Sequence, residues 1–323
     1  MSAAVSFVIP HWNRSDLLQS VIRSIRAQTV PALEILVVDN GSADGSQQVA
    51  EQAGAKILQL DRNRGFSFAV NRGVEAARGA MVAVVNNDVE FAPDWTEKLA
   101  RRLEQSGGWF AIGKILDYSE RERIDGAGDA ICRGGTACRL GHGRPDGSLF
   151  DTPRATFFPT ATAILMRREF LERAGGFDEV FFAYLEDVDL GIRAALLGLE
   201  GVYSPDAVAY HRGSATLGAW SPQMVQWLTR NQVLLLAKFY PWALIGRFWR
   251  SIVVAQGLWA AMALRHGRGL SHLSGLLAGL TQSRELRRSA SRWRAPGNQL
   301  AKTLLRSEAE LALIQRGAGW DHY

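Results

Sequence analysis

From Val5 to Asp88 the chain alternates short apolar runs with stretches of helical spacing, and this alternation restricts the fold more than any other feature. The first run, "AVSFVIP", ends at Pro10. The next segment, "SDLLQSVIRSIRAQ", carries Leu17, Leu18, Val21, Ile22 and Ile25 on one helical face, with Ser15 placed to cap it. "LEILVVDN" follows, then the turn formers "GSADGS" and the short helix "SQQVAEQAG". A third run, "KILQL", leads to the helix "FSFAVNRGVEAARG" and a fourth run, "AMVAVVNND". Runs that are apolar at nearly every position belong to strands buried on both faces. Joined by helices, they predict an α/β fold with a doubly wound, mostly parallel sheet.

In such sheets ligands bind beyond the carboxyl ends of the strands. Polar residues fall at those ends here. Pro10, His11, Trp12 and Asn13 follow the first run, Asp39 and Asn40 close the second, and Asn86, Asn87 and Asp88 close the fourth. One rim of the sheet therefore collects several chemically active groups.

The pattern weakens from Trp109 to Pro159. There "GAGDAICRGGTACRLGHGRPDGS" predicts a long loop region with a hairpin, placed to border a binding site. "TATAILMRREFLERAGGFDE" restores a strand and a short helix. After Gly213, "GSATLGAWSP" reads as a linker, which sets a boundary between residues 1–215 and a helical, basic region, residues 216–323. Between Arg265 and Arg306, nine Lys and Arg accompany one acid, Glu285. Basic amphipathic helices favour anionic membrane surfaces, and a helical appendage or dimer contact explains them equally well. "SIVVAQGLWAAMAL", Ser251 to Leu264, falls short of the roughly 18 to 20 apolar residues that span a bilayer, so a buried or interfacial helix is expected.

Composition narrows the function classes. A hydrophobic share of 47% argues for a packed chain rather than a disordered one. The formal net charge of +5 is too mild to indicate nucleic acid, and no nucleic-acid partner is expected. Cys132 and Cys138 have no second pair with which to build a zinc site, and read as free thiols in a reducing cytoplasm. The N-terminus lacks a basic segment and its apolar run is too short for a signal core, so a cytoplasmic location is expected.

Several residues are placed for chemistry. Asp39 closes a buried strand, where a carboxylate is costly without a partner. It fits a hydrogen bond from a nucleobase N–H or, with Asn40, a turn that caps the helix after Asp44. Gly65 sits between Arg64 and a helix bearing Asn71. Glycine admits a close ligand, a helix N-terminus favours phosphate and a guanidinium adds to it; a solvated surface turn is the alternative. Asp88 suits the single carboxylate that a divalent cation takes beside phosphates and water, or an Asx turn. In "FAYLEDVDLGIRAALLG" the stripe Leu185, Val188, Ile192, Ala195, Leu196 and Leu199 marks a buried face. At about 100° per residue, Asp187 lies roughly 130° from its middle and Asp189 roughly 70°. Asp189 is placed to pair with Arg193 one turn on. Glu186 and Asp187 complement the helix dipole, or stand at a pocket walled by "GGFDEVFFAY". His211 is either structural or a ligand.

Taken in order, "PHWNR", "VVDNGSADGS", "NRGFSFAVNRG", "VVNNDVEF", "GGFDEVFFAYLEDVDLGIRA" and "YHRGS" resemble the family 2 inverting glycosyltransferases, most of all their bacterial rhamnosyltransferase-like branch. The likeness runs from Val5 to Ser214. It implies a GT-A fold, a nucleotide-diphosphate sugar donor (dTDP-rhamnose as the first reading) and Mg²⁺ or Mn²⁺ on the diphosphate. It makes Asp39 the base-binding aspartate, with Pro10 and Asn13 near the nucleoside. Asn40, Arg64, Gly65, Asn71, Asn87 and Glu186 complete the implied substrate contacts. Asp88 matches the last acid of the DxD motif and would hold the metal, with His211 beside it. The first acid of that motif is Asn86 here. Asp187 matches the catalytic base.

The resemblance further implies a glycan or lipid-linked acceptor in cell-surface polysaccharide synthesis. The basic charge of the C-terminal region, which the resemblance does not cover, fits an acceptor carried on a polyprenyl lipid and a place at the inner face of the membrane. A competing reading keeps the fold without catalysis, as a peripheral membrane or scaffold protein. Asp39, Asp88 and Asp187 together speak against it. A sugar nucleotidyltransferase would want a Gly-rich loop after the first strand, and "PHWNRSD" has no glycine.

Overall fold

The structure, a computed structural model, describes residues 4–213, 216, 218–294 and 297–315. β1 (Val5–His11), α1 (Ser15–Arg26), β2 (Glu34–Asp39), α2 (Ser46–Gln52), β3 (Lys56–Gln59), α3 (Phe66–Ala76) and β4 (Met81–Val85) reproduce the alternation read from the sequence. β2 and β4 flank β1 in parallel, and β3 extends the sheet beyond β2. Side chains alternate across β1. Phe7 and Ile9 pack in one core with Leu18 and Ile22 of α1, while Val8 packs in the other with Ala69 and Val70 of α3. α3 lies close to the sheet because Gly73 faces it; a Cβ there would come 2.3 Å from Val8 Cγ1.

The chain continues through β5 (Val89–Phe91), α4 (Trp95–Ser106), β6 (Phe110–Asp117), β7 (Ile124–Gly126), β8 (Asp129–Ile131), β9 (Ala137–Arg139), β10 (Arg154–Thr156), β11 (Ala163–Arg167), α5 (Arg168–Ala174), α6 (Glu186–Leu197) and β12 (Gly201–His211). The large sheet has the order β10-β12-β6-β11-β4-β1-β2-β3, with β5 on β12 and β7 on β6. β12 is parallel to β6. β11 runs antiparallel between β4 and β6. Its beginning therefore lies beside the carboxyl ends of its neighbours, and Asn86 N donates to Thr162 O there at 2.9 Å.

The expectation of a loop region from Trp109 to Pro159 is corrected by β6, an interior strand of the sheet. Gly113 and Lys114 interrupt its apolar pattern. Gly113 gives room to the chain at Ala207, whose carbonyl oxygen would lie 2.1 Å from a Cβ. Lys114 is buried because Asp146 and Asp151 meet its ammonium at 2.7 and 2.6 Å. The expected hairpin is present: β8 and β9 form a separate two-stranded antiparallel sheet.

Four helices follow: α7 (Pro222–Phe239), α8 (Trp242–Arg265), α9 (Gly269–Ser289) and α10 (Gly297–Gln315). Ser214 and residue 215, where the sequence places the end of the first unit, lie outside the described residues. The helices do not form a core of their own. Leu234, Phe239, Tyr240 and Leu304 pack in one cluster with Phe181, Val188 and Ile192. Ser251 to Leu264 falls within α8, where Val253, Val254 and Leu258 are exposed, which corrects the expectation of a buried helix. No helix among the described residues is long and apolar enough to cross a membrane.

Glu34 ties β2 to the end of α3. Its side chain is only 3% exposed and accepts from Ser6 Oγ at 2.9 Å, Arg78 N at 2.8 Å and Lys56 Nζ at 3.0 Å. Burial opposes its charge, but these donors outweigh burial and hold its pKa down at about 2. A depressed carboxylate stabilises the fold above the unfolded value of about 4.3 and ceases to do so as pH falls toward 2. Glu34→Gln is expected to lower the unfolding free energy at pH 7 by about 1–3 kcal/mol. The gap to the wild type should close between pH 4.5 and 2 in urea titrations. Equal midpoints at pH 7 would refute this role.

Candidate functional site

The rim expected from the sequence is an open cavity of about 390 Å³. Of the residues singled out there, Pro10, Asn40, Gly65, Asn87, Asp88, Glu186, Asp187 and His211 line it. The parallel strands bring up the first members. The reversed start of β11 adds Ala161 and Thr162, and the β8–β9 hairpin folds over with Asp129, Cys138 and Arg139. His11 braces the floor. Asn87 Nδ2 donates to its Nδ1 at 2.9 Å, so Nε2 carries the hydrogen toward Ser46 Oγ at 2.7 Å. Burial lowers its pKa to about 4 against the pull of Asp39 and Asp44, and the ring stays neutral.

Asp88 and His211 stand together at this rim. His211 Nδ1 faces Asp125 Oδ2 at 2.9 Å, and its Nε2 faces Asp88 Oδ1 at 3.3 Å. Arg139 reaches the same Asp125 oxygen at 2.7 Å. Asp88 Oδ1 is buried and accepts no hydrogen bond among the described residues. Burial disfavours a charged His211, but Asp125 and Asp88 raise its pKa to about 9. The gap between the imidazole Nε2 and the unsatisfied carboxylate oxygen suits a divalent cation. The donor set fits such a cation: one carboxylate oxygen, one imidazole nitrogen and an outer carboxylate that orients the ring. Among the described residues no three His, Cys, Asp or Glu converge on one point, so remaining ligands would come from phosphate and water.

Asp187 sits across the cavity at the start of α6. Its Oδ2 accepts from Ala161 N at 3.2 Å and its Oδ1 from Val188 N at 2.8 Å. Burial raises its pKa, partly offset by those two amides. Glu186 is buried beside it, and burial and the charge of Asp187 push its pKa well up. Its Oε2 has no partner among the described residues. Asp129, pinned by Thr160 Oγ1 at 2.6 Å, is raised to about 7 by burial and by Asp187. Three carboxyls this close cannot all ionise in a half-dry site. Asp187 alone accepts two backbone N–H bonds, which makes it the member best able to keep its charge.

The segment before α6 is strained. Phe182, Tyr184 and Leu185 all have positive φ, at 62°, 70° and 65°. α7 holds them there. Asn231 Nδ2 donates to the carbonyls of Phe181, Ala183 and Tyr184 at 2.9, 2.9 and 2.6 Å. Lys238 bridges Asp178 and Asp189, and Arg193 pairs with Asp189 as its spacing predicts. Trp227 of α7 packs on Phe182 with ring centroids 4.9 Å apart, and lines the cavity with Leu228. Gly65, at φ 91°, makes room on the other side, since a Cβ would meet Phe182 O at 2.6 Å.

Four expected contacts lie outside the cavity lining. Asp39 accepts from Ser42 N and Gln47 Nε2, which is the turn-forming alternative. Asn13 accepts from Ala43 N. The exposed Arg64 guanidinium stacks 3.7 Å over the Phe68 ring. Asn71 is bonded at both amide ends to the backbone of Phe177, a structural role in place of the expected substrate contact. In turn Asp129 and Arg139 enter the site from the stretch expected to border it, though not singled out there, while Asp125 and Trp227 enter without any motif in the sequence to mark them. A second cleft of about 510 Å³, lined by Arg102, Trp109, Arg154 and Glu200, opens at the starts of β6 and β12, away from these carboxylates.

A doubly wound, mostly parallel sheet with β11 reversed in its interior, and a carboxylate-lined cavity over its carboxyl ends, is a GT-A fold. Among solved structures the chain is similar to the mannosyltransferase PcManGT from Pyrobaculum calidifontis, solved with GDP-Man and Mn²⁺. The TM-score is 0.55 at 17% identity, over 100% of this chain and 89% of that one. The chain belongs to glycosyltransferase family 2: the model described as "Glycosyl transferase family 2" matches residues 6–175, and "Glycosyl transferase family group 2" matches residues 97–283. It is 30% identical to an N-acetylglucosaminyl-diphospho-decaprenol L-rhamnosyltransferase of Mycobacterium tuberculosis, over 62% of this chain and 73% of that protein. It is 29% identical to the O-antigen biosynthesis protein RfbC of Myxococcus xanthus, over 74% of this chain. The chain spans only 19% of the length of RfbC, and 25% of an uncharacterized Sinorhizobium fredii relative.

The clamp from α7 is testable. Asn231→Ala is expected to cost about 2–4 kcal/mol of stability in urea unfolding, because buried carbonyls lose their donor. Amide hydrogen exchange at Glu186 and Asp187 should quicken more than exchange in β1. Uniform exchange across both would show that the clamp does not hold this turn.

Proposed function

We propose that this protein is a metal-dependent, inverting hexosyltransferase that moves a sugar from a nucleoside diphosphate to a hydroxyl of a cell-surface glycan or its lipid-linked precursor. The observation that carries the reading is that Asp88 with His211, and Asp187 with its two backbone donors, line one cavity. Asp88 and His211 would hold Mg²⁺ or Mn²⁺. When bound, the cation neutralises charge on the departing diphosphate. Asp125 orients the His211 ring and Arg139 keeps Asp125 ionised. Asp187 takes the proton of the acceptor hydroxyl as its oxygen attacks the anomeric carbon, on the face opposite the breaking bond to diphosphate. Its raised pKa brings the base toward neutrality, where general-base transfer works best. Phe182, Tyr184 and Trp227 give the sugar an apolar wall. Rhamnose as the sugar and a polyprenyl-diphosphate-linked acceptor are supported by the likeness to the mycobacterial rhamnosyltransferase, while a dTDP donor rests on the sequence resemblance alone.

Asp187→Asn is expected to reduce transfer about 10²- to 10⁴-fold, the usual worth of a general base, while donor binding in calorimetry stays within a factor of three. Near-normal turnover would remove Asp187 from the mechanism. Asp88→Asn should weaken donor binding about tenfold or more and abolish its dependence on Mn²⁺, matching the wild type in excess chelator. Donor binding by the wild type that ignores chelator would contradict the metal assignment.

A further inference from the structure

Ten of the fifteen exposed large hydrophobic residues among those described lie on α8 and α9. On α9 they form a stripe, Leu270, Leu273, Leu277 and Leu280, each 50% exposed or more. Gly275 and Gly279 lie on the opposite side of the helix, where a Cβ would meet Gln226 O at 2.3 Å and Val233 Cβ at 2.8 Å of α7. The leucine stripe is therefore turned away from the body of the protein. On α8, Trp249, Val253, Val254, Leu258 and Leu264 are 54–68% exposed, and Ser251 to Leu264 contains no charged residue. Arg247, Arg250 and Arg265 bracket that stretch, and Arg284 and Arg288 continue the α9 stripe. No Asp or Glu occurs between Asp206 and Glu285.

The geometry points to the α8–α9 face as a membrane-docking surface that lies in the plane of an anionic bilayer. An apolar face of this extent, ended by arginines and free of acids, matches acyl chains below and anionic headgroups around them. A second copy of this chain is the poorer occupant, because it would set the same arginines against each other without carboxylates to pair them. Neither helix has the length of apolar sequence to cross the bilayer, so the pair lies along it.

The inner side of α8 rests on the β8–β9 turn. Gln256 Nε2 donates to Gly134 O at 3.3 Å, and a Cβ on Gly134 would meet Ala255 Cβ at 2.4 Å. Cys138 and Arg139 of that hairpin line the cavity. Docking through this face therefore sets the cavity close to the bilayer, where a lipid-borne acceptor is presented. This last link rests on the proposed transfer reaction; the docking itself does not.

Flotation of the full chain with vesicles of phosphatidylcholine and phosphatidylglycerol at 3:1 tests the surface. The wild type should float with these vesicles and bind several-fold less to pure phosphatidylcholine. Leu258→Glu with Leu277→Glu should cut binding at least tenfold with an unchanged thermal midpoint, since both side chains are exposed. Arg250→Gln and Arg284→Gln should each cost about fivefold and lessen the sensitivity to salt. Donor hydrolysis measured without vesicles in the same preparations separates a failure of this inference from a failure of the catalytic reading. Wild-type protein that stays in the aqueous phase with both vesicle types would overturn it. So would glutamate variants that float unchanged, or a wild-type dimer in sedimentation equilibrium that Leu277→Glu dissociates.

Discussion

The site depends on a backbone turn that the chain would not adopt unaided. Phe182, at φ 62° and ψ −67°, is the centre of a tight turn in which Ala183 N donates to Phe181 O at 2.7 Å. Tyr184 and Leu185 then enter the left-handed region, which bulky side chains avoid. Each such residue costs on the order of 1–3 kcal/mol and persists only where its surroundings over-determine it. Asn231, Arg230 and Trp227 from α7 press from one side, and Gly65 yields space on the other. The result delivers Glu186 and Asp187 to the cavity as the first residues of a helix, with Asp189 turned inward to a buried ion network.

Electrostatics then divide the cavity into two parts. On the Asp88 side, carboxylates surround one imidazole and raise its proton affinity, so positive charge is favoured there. On the Asp187 side, three acids share a poorly hydrated space, so negative charge is scarce and a proton is readily accepted. One half is prepared for a cation and an anionic leaving group, the other for a hydroxyl proton. The reversed strand β11 joins them: Thr162 touches Arg139, and Ala161 N holds Asp187.

The C-terminal helices belong to this arrangement rather than hanging from it. α7 shapes the turn and the cavity wall. α10 is tied to the β8–β9 hairpin through Ser307, which accepts from Ile131 N at 2.8 Å, and through Glu308, which meets Arg133 at 2.7 Å. α9 turns its leucines outward because Gly275 and Gly279 take its inner contacts, while Leu244, Phe248 and Ala263 are the buried residues of α8. The same helices thus hold the catalytic turn inside and present an apolar face outside.

The alternation from Val5 to Asp88, the polar rim and the position of Asp187 off the apolar stripe were legible in the sequence. Each follows from local periodicity, which a chain carries wherever it folds. β6 was hidden because Gly113 and Lys114 break its pattern, and their reasons, the carbonyl of Ala207 and the carboxylates of Asp146 and Asp151, lie far along the chain. Asn71 was expected as a substrate contact from the family resemblance; only packing shows that the backbone of Phe177 takes both ends of its amide. Asp129, Asp125, Arg139 and Trp227 gain their meaning from neighbours supplied by other elements. Local spacing decides which segments become strands and helices. The tertiary structure decides which side chains share a dielectric, because charge, strain and burial act through space rather than along the chain.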